Sequence, residues 1–363
     1  MITPETPTPI RTPDLASFES VANPATPLEV AEILRGAADD GRAVVPVGGG
    51  GALTIGNPTS AWAIGLSTRG MNRIIDYQPT DMTLSVEAGA TLADVAAVLA
   101  EHGQMLPIEA PLPASATIGG LLATALTGPR RYGGGTLRDV IIGISVSYPD
   151  GTVGKAGGLV VKNVSGFDMM RIHYGALGTL GVITSANFKV MPIPRSEFTV
   201  THPLRSLHEA GEILTMLRSP SVRPVSLVLQ LRDGTWTLIA RFEGRESGLK
   251  AVASTVTGFL EVRDRHDDRE SAAFWQRYMD DRAFADPAEV RLQVRTWPTG
   301  IVGVIDRALS VLYGTGRAEI EPGIGQAILS WSHTTIDSAS LIRSIRDATP
   351  GVSVTVLAAP DEV

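Results

Sequence analysis

Residues 46–53 read PVGGGGAL, so four consecutive glycines directly follow a short β-like run. Glycines at such a position let backbone N–H groups turn inward and approach an anion without a Cβ in the way. A Walker A loop is excluded because no Gly-Lys-Ser/Thr follows, and a dinucleotide fingerprint fails because Leu53 stands where its last glycine is needed. An anion-binding loop and a plain surface turn both remain open from this stretch alone.

Two further stretches combine glycines with small or apolar residues. Residues 116–124, ATIGGLLAT, place paired glycines beside a hydroxyl, which suits close approach of a flat ring or a phosphate. Residues 178–184, GTLGVIT, flank an apolar strand with glycines, and its backbone groups are candidates for hydrogen bonds to an adenine edge. A buried β-bulge or turn explains the same pattern without any ligand.

Apolar spacing predicts a mixed first half. We expect a helix from Thr26 to Asp39, a strand over 83–88 and an amphipathic helix over 91–102. A hairpin is predicted over 140–155, with Pro149-Asp150-Gly151 as its turn. Residues 1–17, rich in Pro and Thr, are interpreted as a disordered leader and not as a signal peptide.

Pro192 and Pro194 predict a boundary between two domains, residues 18–192 and 193–363. After it, strands over 225–231 and 236–242 form a predicted hairpin, and the predicted helices cover 246–260, 269–281 and 338–347. This alternation indicates a small α+β domain of ferredoxin-like type. No internal repeat is visible in the sequence.

Four blocks in order resemble the FAD-binding domain of the vanillyl-alcohol-oxidase and cresol-methylhydroxylase (PCMH-type) family. They are PVGGGGALTIG (46–56), DYQPTDMTLSVEAGATLADV (76–95), ATIGGLLATALTGPRRYGGGTLRD (116–139) and KNVSGFDMMRIHYGALGTLGVIT (162–184). The resemblance covers roughly residues 25–192 and implies an α+β chain, a two-part PCMH-type FAD-binding domain followed by a reduced, cap-like α+β domain. The stretches GPRRYGGGTLRD and VVKNVSGFDMMR are most similar to the flavin-binding subunits of bacterial glycolate oxidases.

The resemblance also implies which residues contact FAD. The glycine loop would hold the pyrophosphate through its backbone N–H groups, and it consists of Pro46, Val47, Gly48, Gly49, Gly50, Gly51, Ala52 and Leu53. The ribityl and isoalloxazine portion would lie along Thr117, Ile118, Gly119, Gly120 and Thr124. Val182 and Ile183 would present backbone groups to adenine. Covalent relatives use a His, Cys or Tyr near the ring; the loop has none, so we expect non-covalent FAD, with His173 and Tyr132 as alternative tethers.

Composition excludes several classes of function. The net charge of −7 provides no basic surplus for nucleic acid. The absence of cysteine removes disulfides, thiolate nucleophiles, cysteinyl flavin links and iron–sulfur ligation in this chain. No apolar run reaches the roughly 20 residues of a membrane span. We expect a cytoplasmic protein, with attachment to the inner face of the membrane only through partners.

Residues for oxidising a 2-hydroxy acid are scarce. Such chemistry at a flavin needs a base for the hydroxyl proton and a cation for the carboxylate. The six histidines never occur at H-x-H or H-x-x-x-H spacing; they are His102, His173, His202, His208, His266 and His333. We therefore expect no metal site, and a second half without the family's substrate machinery.

A few polar residues have two readings each. Arg130 and Arg131 form either a carboxylate or phosphate clamp near the flavin or a surface pair. Asp139 and Asp168 orient a cofactor hydroxyl or, as turn residues more often do, cap a turn. Lys162 and Asn163 are further candidates for the flavin edge. Tryptophans of the second half suit the core or, where exposed, an interface; they are Trp236, Trp275, Trp297 and Trp331.

These expectations converge on an FAD-binding subunit of a glycolate (2-hydroxy acid) oxidase or dehydrogenase. The expected partners are a related catalytic flavoprotein subunit and an iron–sulfur subunit, because this chain has no ligands for such a cluster. A small 2-hydroxy acid is the expected substrate class. A stand-alone FAD oxidoreductase acting on a small alcohol or hydroxy acid, and a scaffold that has lost its flavin, stay open as alternatives.

Overall fold

A computed structural model describes residues 18–53, 55, 64–159, 169–283, 289–312, 316–333 and 337–360. The expected leader and the candidates Lys162, Asn163 and Asp168 lie outside the described residues. The chain divides into two compact units. The first takes its described residues from Met1–Val98, Leu112–Leu126 and Ile141–Lys189, and the second takes them from Leu99–Pro111, Thr127–Val140 and Val190–Val363.

The first unit contains a small parallel sheet with strand order β1-β3-β2. Its strands are β1 (Ser20–Ala22), β2 (Val44–Val47) and β3 (Ile64–Ser67). Helix α1 (Pro27–Asp39) connects β1 to β2 and begins as the sequence predicts, because the side chain of Thr26 accepts a hydrogen bond from the Glu29 amide. Val30 and Leu34 of α1 pack against buried Leu66 of β3.

A second, antiparallel sheet completes the first unit, in the order β4-β5-β9-β7-β8. Its strands are β4 (Ile74–Gln78), β5 (Thr83–Glu87), β7 (Ile141–Ser147), β8 (Val153–Gly157) and β9 (Val182–Lys189). The helices of this part of the chain are α2 (Leu92–Ala100), α3 (Ile118–Thr124) and α6 (Met169–His173). The first unit is thus built in two parts, as predicted.

The second unit is built around one eight-stranded antiparallel sheet of order β14-β11-β13-β12-β16-β17-β15-β18. Its strands are β11 (Ser196–Leu204), β12 (Ser226–Arg232), β13 (Thr235–Gly244), β14 (Asp264–Asp267), β15 (Glu289–Arg295), β16 (Arg317–Glu321), β17 (Gln326–Ser332) and β18 (Ser353–Ala358). Its main helices are α7 (Leu207–Leu217), α8 (Glu246–Phe259), α9 (Asp268–Ala283), α10 (Ile301–Val311) and α11 (Ser338–Ala348).

This sheet consists of two consecutive βαββαβ modules. The first runs β11-α7-β12-β13-α8-β14 and the second runs β15-α10-β16-β17-α11-β18, with α9 between them. Each module has its fourth strand beside its first and its second strand beside its third, which is the ferredoxin-like arrangement. The modules join where β12 pairs with β16 at Leu229–Leu231. The ferredoxin-like expectation is confirmed, and the structure adds a repeat that the sequence does not display.

Two segments from the first half of the sequence belong to the second unit. They carry β6 (Gln104–Met105), which pairs with β10 (Met191–Pro192), and the short helices α4 (Arg131–Gly134) and α5 (Leu137–Val140). A domain boundary at Pro192 instead places these segments in the first domain, because they precede it. Their assignment to the second unit follows from long-range contacts, described next.

A buried charge cluster holds these segments against the sheet. Nη1 of Arg241 lies 2.6 Å from Glu109, and Nη2 of Arg130 lies 2.6 Å from Glu243. Arg241 also binds Glu197 and, at 3.1 Å, Glu243. Three carboxylates therefore share two guanidiniums, and every one of these side chains is at most 13% exposed. Burial raises the pKa of Glu243.

Candidate functional site

The glycine loop begins at the carboxyl end of β2. Strands β2 and β3 are parallel, with Val47 level with Ser67, and the Thr68 amide donates to the Val47 carbonyl at 2.9 Å. Because parallel strands end at the same edge of a sheet, the residues after β3 lie beside the glycine loop. The next residue after Thr68 is Arg69, whose Nε donates to the Gly48 carbonyl at 3.1 Å.

Each of the first three glycines has its own structural reason. A Cβ built on Gly48 would lie 2.2 Å from Oγ1 of Thr117, and one on Gly49 would lie 2.1 Å from the Ser115 carbonyl oxygen. Gly50 adopts φ +84°, which strains any residue with a side chain. Gly51 has open space around it and no such φ. Close packing against residues 115–117 therefore requires glycine at the start of the loop, and it brings together two stretches that sequence reasoning singled out separately.

The backbone N–H groups and the carbonyls of this loop differ in their partners. Among the described residues, no protein group accepts a hydrogen bond from the backbone N–H of residues 48–51. The carbonyls of Gly48 and Gly49, by contrast, are bound by Arg69. Consecutive free N–H groups in a glycine-rich bend form a concave donor set that suits a diphosphate, and no Cβ is present to fill it. The loop therefore fits the phosphate-binding role expected of it.

The second predicted stretch forms the start of α3. Thr117 is its N-cap and accepts a hydrogen bond from the Gly120 amide at 3.3 Å. The Ile118 and Gly119 amides donate to the carbonyls of Ala90 and Ala88. A Cβ on Gly119 would lie 2.8 Å from the Ala88 side chain, so this glycine is required by packing whether or not a ligand is bound. The hydroxyl of Thr124 donates back to the Gly120 carbonyl at 2.8 Å, which ties the end of the helix to its start.

The third predicted stretch lies beside the other two. Val182 and Ile183 begin β9 and are both buried, and the Thr184 carbonyl accepts from the Ala88 amide at 2.9 Å. Gly178, at φ +74°, would place a Cβ 3.0 Å from Pro46 of β2. Loop, helix start and strand start are thus connected through Ala88 and Pro46 within the first unit. The sequence-predicted cofactor residues form one neighbourhood.

Arg130 and Arg131 fit neither of their two readings. In the second unit Arg130 is buried and Arg131 is half-buried; Arg130 belongs to the charge cluster, and Nε of Arg131 lies 3.4 Å from Glu321. Their carboxylate partners are the protein's own glutamates, so neither a surface pair nor a flavin clamp describes them. Tyr132 packs in the same unit, directly against Gly323.

The remaining candidates have structural roles. Oδ2 of Asp139 accepts from the amide and the hydroxyl of Thr136, so the turn-capping reading is confirmed. His173 is buried, its Nε2 lies 3.0 Å from the Tyr148 hydroxyl, and burial lowers its pKa. His266 stacks on Phe274. In the part of the chain that the structure describes, no cluster of histidine and carboxylate side chains is arranged to hold a metal ion.

Sequence reasoning missed Arg69 and Ser115. Arg69 follows a short apolar run, as the glycine loop does, and this similarity is visible in the sequence. It becomes informative only once the two runs are known to be paired as parallel strands. Ser115 contributes its backbone carbonyl oxygen, and no sequence pattern reveals such a contact.

None of the described helices is both long enough and apolar enough to cross a membrane.

Comparison with known proteins defines the class. Residues 18–167 match the FAD binding domain family. The chain also superposes on alkyldihydroxyacetonephosphate synthase with a TM-score of 0.70, over 92% of this chain and 71% of that one, at 18% identity. That likeness concerns the fold, and it extends through both units. The chain carries an FAD-binding domain of the PCMH type.

Three proteins of similar sequence add to the comparison of folds. The chain is 34% identical over 214 residues to glycolate oxidase subunit GlcE of Escherichia coli (strain K12), which is 58% of this chain and 57% of that protein. It is 27% identical over 217 residues to glycolate oxidase subunit GlcD of Bacillus subtilis (strain 168), covering 60% and 46%. A D-lactate dehydrogenase of Anaerostipes hadrus is 32% identical over 160 residues, covering 44% and 32%. The matched region thus spans a third to somewhat over half of these relatives.

Proposed function

We propose that this protein is an FAD-binding subunit of a complex that oxidises a small 2-hydroxy acid such as glycolate. The observation that carries the proposal is the glycine loop with its free amides, packed against the start of α3. The relatives support the reaction class, because those compared above are named as glycolate oxidase subunits and a D-lactate dehydrogenase.

In this proposal, FAD contacts residues of the first unit. The amides of residues 48–51 bind the diphosphate, and Pro46, Val47, Ala52 and Leu53 frame them. Thr117, Ile118, Gly119, Gly120 and Thr124 line the ribityl and isoalloxazine portion. Val182 and Ile183 offer backbone groups to adenine. The cofactor is held non-covalently, since Nε2 of His173 is engaged with Tyr148 and Tyr132 packs against Gly323. Bound FAD supplies a hydride acceptor.

Two observations favour a subunit over a complete enzyme. The described residues of the second unit offer no cluster of histidines and carboxylates that could hold a metal ion beside a hydroxy acid. In addition, Trp297 is 81% exposed on a turn held by the Thr296 amide bonding to Gly325 and by the Gly300 amide bonding to the Trp297 carbonyl. An exposed tryptophan is typical of contact surfaces between proteins. The partners in this proposal are a catalytic flavoprotein subunit and an iron–sulfur subunit.

The first test is the cofactor itself. The purified chain should be yellow, and acid precipitation should release its flavin into the supernatant, where chromatography identifies FAD. Flavin that remains with the precipitate contradicts non-covalent binding. A colourless protein that cannot be reconstituted with FAD contradicts the whole proposal and favours the scaffold alternative.

The second test separates subunit from enzyme. Glycolate or D-lactate added anaerobically to the FAD-loaded chain alone should leave the flavin absorbance unchanged, and bleaching should require co-expressed partner subunits. Rapid bleaching of the isolated chain would instead establish the stand-alone oxidoreductase. The exposed surface around Trp297 adds a check, because Trp297→Ala should leave FAD content intact and weaken co-purification of partners.

A further inference from the structure

Arg69 occupies a position from which it controls the direction of the glycine-loop amides. Strands β2 and β3 are parallel, with Val47 level with Ser67, and Arg69 follows β3 as the glycine loop follows β2. From there the guanidinium reaches back across the loop. Nε donates to the Gly48 carbonyl at 3.1 Å and Nη2 donates to the Gly49 carbonyl at 3.4 Å.

Because peptide groups are planar and trans, a contact that fixes the direction of a carbonyl also fixes the direction of the N–H in the same peptide group. In each such group the N–H points away from the C=O. With the carbonyls of Gly48 and Gly49 directed at Arg69, the amides of Gly49 and Gly50 are directed to the opposite side of the loop. These are two of the four amides for which the described residues offer no acceptor. A guanidinium is suited to this task because its donors form a rigid planar fork.

Among the described residues, the guanidinium of Arg69 has no carboxylate partner. No carboxylate of the described residues lies within ion-pair distance of its guanidinium, although the chain as a whole carries a net charge of −7. A cation bound to a peptide carbonyl polarises that peptide and strengthens the hydrogen bond its N–H donates on the other side. Orientation and polarisation act in the same direction, and both favour an anion on the amide side.

We propose that Arg69 is a positioning residue for the diphosphate of FAD, acting through the carbonyls of Gly48 and Gly49 and not by direct contact. This inference rests on the proposed function. Arg69 is exposed and fills no core position, so its loss should weaken diphosphate binding without unfolding the first unit.

The test compares FAD affinity in three variants of the full chain with the wild type, measured by quenching of flavin fluorescence on titration into apoprotein. Arg69→Gln removes the charge and the fork, Arg69→Lys keeps the charge alone, and Arg42→Gln is the matched control. Arg42 is an exposed arginine just before the amino end of β2, bound to Glu19 at 3.2 Å and away from the loop. Melting temperatures of the four apoproteins serve to establish that all are equally folded.

The expected loss of FAD affinity is about ten-fold or more for Arg69→Gln, smaller for Arg69→Lys, and absent for Arg42→Gln. ADP, which carries the diphosphate without the flavin ring, should lose affinity by the same factor as FAD. Wild-type affinity in Arg69→Gln, full recovery in Arg69→Lys, or an unchanged ADP affinity would each overturn the positioning role. A wild-type chain that binds no FAD refutes the proposed function itself, which is a distinguishable result.

Discussion

The glycine loop illustrates what single residues determine. Four glycines in a row suggest one shared purpose, yet the structure assigns them different ones: Gly48 and Gly49 allow contact with residues 115–117, and Gly50 adopts a positive φ. The family resemblance implies that all four serve the approach of a pyrophosphate. Contact with residues 115–117 requires glycine just as strictly. No pattern within the loop reveals this contact, because the contacting residues lie more than 60 positions away along the chain.

Substitution of these glycines should therefore have graded effects. Gly49→Ala places a methyl group on the Ser115 carbonyl and displaces the loop, an overpacking cost of about 1–3 kcal/mol. FAD affinity should fall by about ten-fold or more. Gly36→Ala in α1 is the matched control, because no atom of the described residues lies within 4 Å of the added methyl and Gly36 lies outside the loop. Fluorescence titration with FAD measures both. Equal affinity in the two variants would contradict the packing argument.

His173 should make stability depend on pH. Burial lowers the pKa of His173 below the ordinary 6.5. Between the lowered pKa and 6.5, the unfolded chain therefore binds a proton at this residue more readily than the folded chain does. Its contribution is fully present above pH 6.5 and is lost as the pH falls from there toward the lowered folded pKa. His173→Gln should remove this part of the pH dependence. Urea denaturation at pH 7.5 and pH 5.5 measures it, and an unchanged difference between the two pH values in the variant would argue against a neutral buried histidine.

At the scale of elements, local sequence predicts most of what forms. The helix from Thr26 to Asp39 is observed as α1, the strand over 83–88 as β5, and the hairpin around Pro149-Asp150-Gly151 as β7 and β8. Caps, turn residues and apolar spacing act within a few residues, so they are visible in one sequence. The same holds in the second half, where the 246–260 helix is observed over Glu246–Phe259.

Relations between distant elements were not predictable in this way. The two βαββαβ modules share their strand order, yet no repeat is visible in the sequence. The charge cluster is equally hidden, because Arg130 and Glu243 are 113 residues apart and Arg241 and Glu109 are 132 apart. The sequence around Arg130 gives no indication that this arginine forms an ion pair with a buried glutamate.

The cluster predicts unequal effects of neutralising its members. Arg241→Gln leaves three buried carboxylates around one guanidinium, and loss of one partner of a buried ion pair typically costs about 3–5 kcal/mol. Glu243→Gln removes the excess carboxylate, whose pKa is raised by burial, and should destabilise far less. Urea denaturation of both variants at pH 7 provides the measurement. Equal losses of stability in the two variants, or a larger loss in Glu243→Gln, would show that the excess of carboxylates does not destabilise this cluster.

For the molecule as a whole, the division of the sequence at Pro192 and the division into compact units differ. A cut at 192 would separate Glu109 and Arg130 from the sheet they bind, together with β6, which pairs with β10. A fragment of residues 193–363 would keep Glu197, Glu243 and Arg241 as a buried group with unmatched charge. The hydrophobic core of the eight-stranded sheet alone does not compensate for that, because typical domain stability is only about 5–15 kcal/mol.

We therefore predict that residues 193–363, expressed alone, unfold at lower urea concentration than the same unit does in the intact chain. Tryptophan fluorescence monitors this comparison in both proteins, since four of the five tryptophans lie in that half. Adding a peptide of residues 99–140 should restore part of the lost stability, because it returns both Glu109 and Arg130. A version of the peptide with Glu109→Gln and Arg130→Gln is the control and should restore less. Coincident unfolding of the fragment and the intact chain would mean that the segments before Pro192 bind to the sheet without stabilising it.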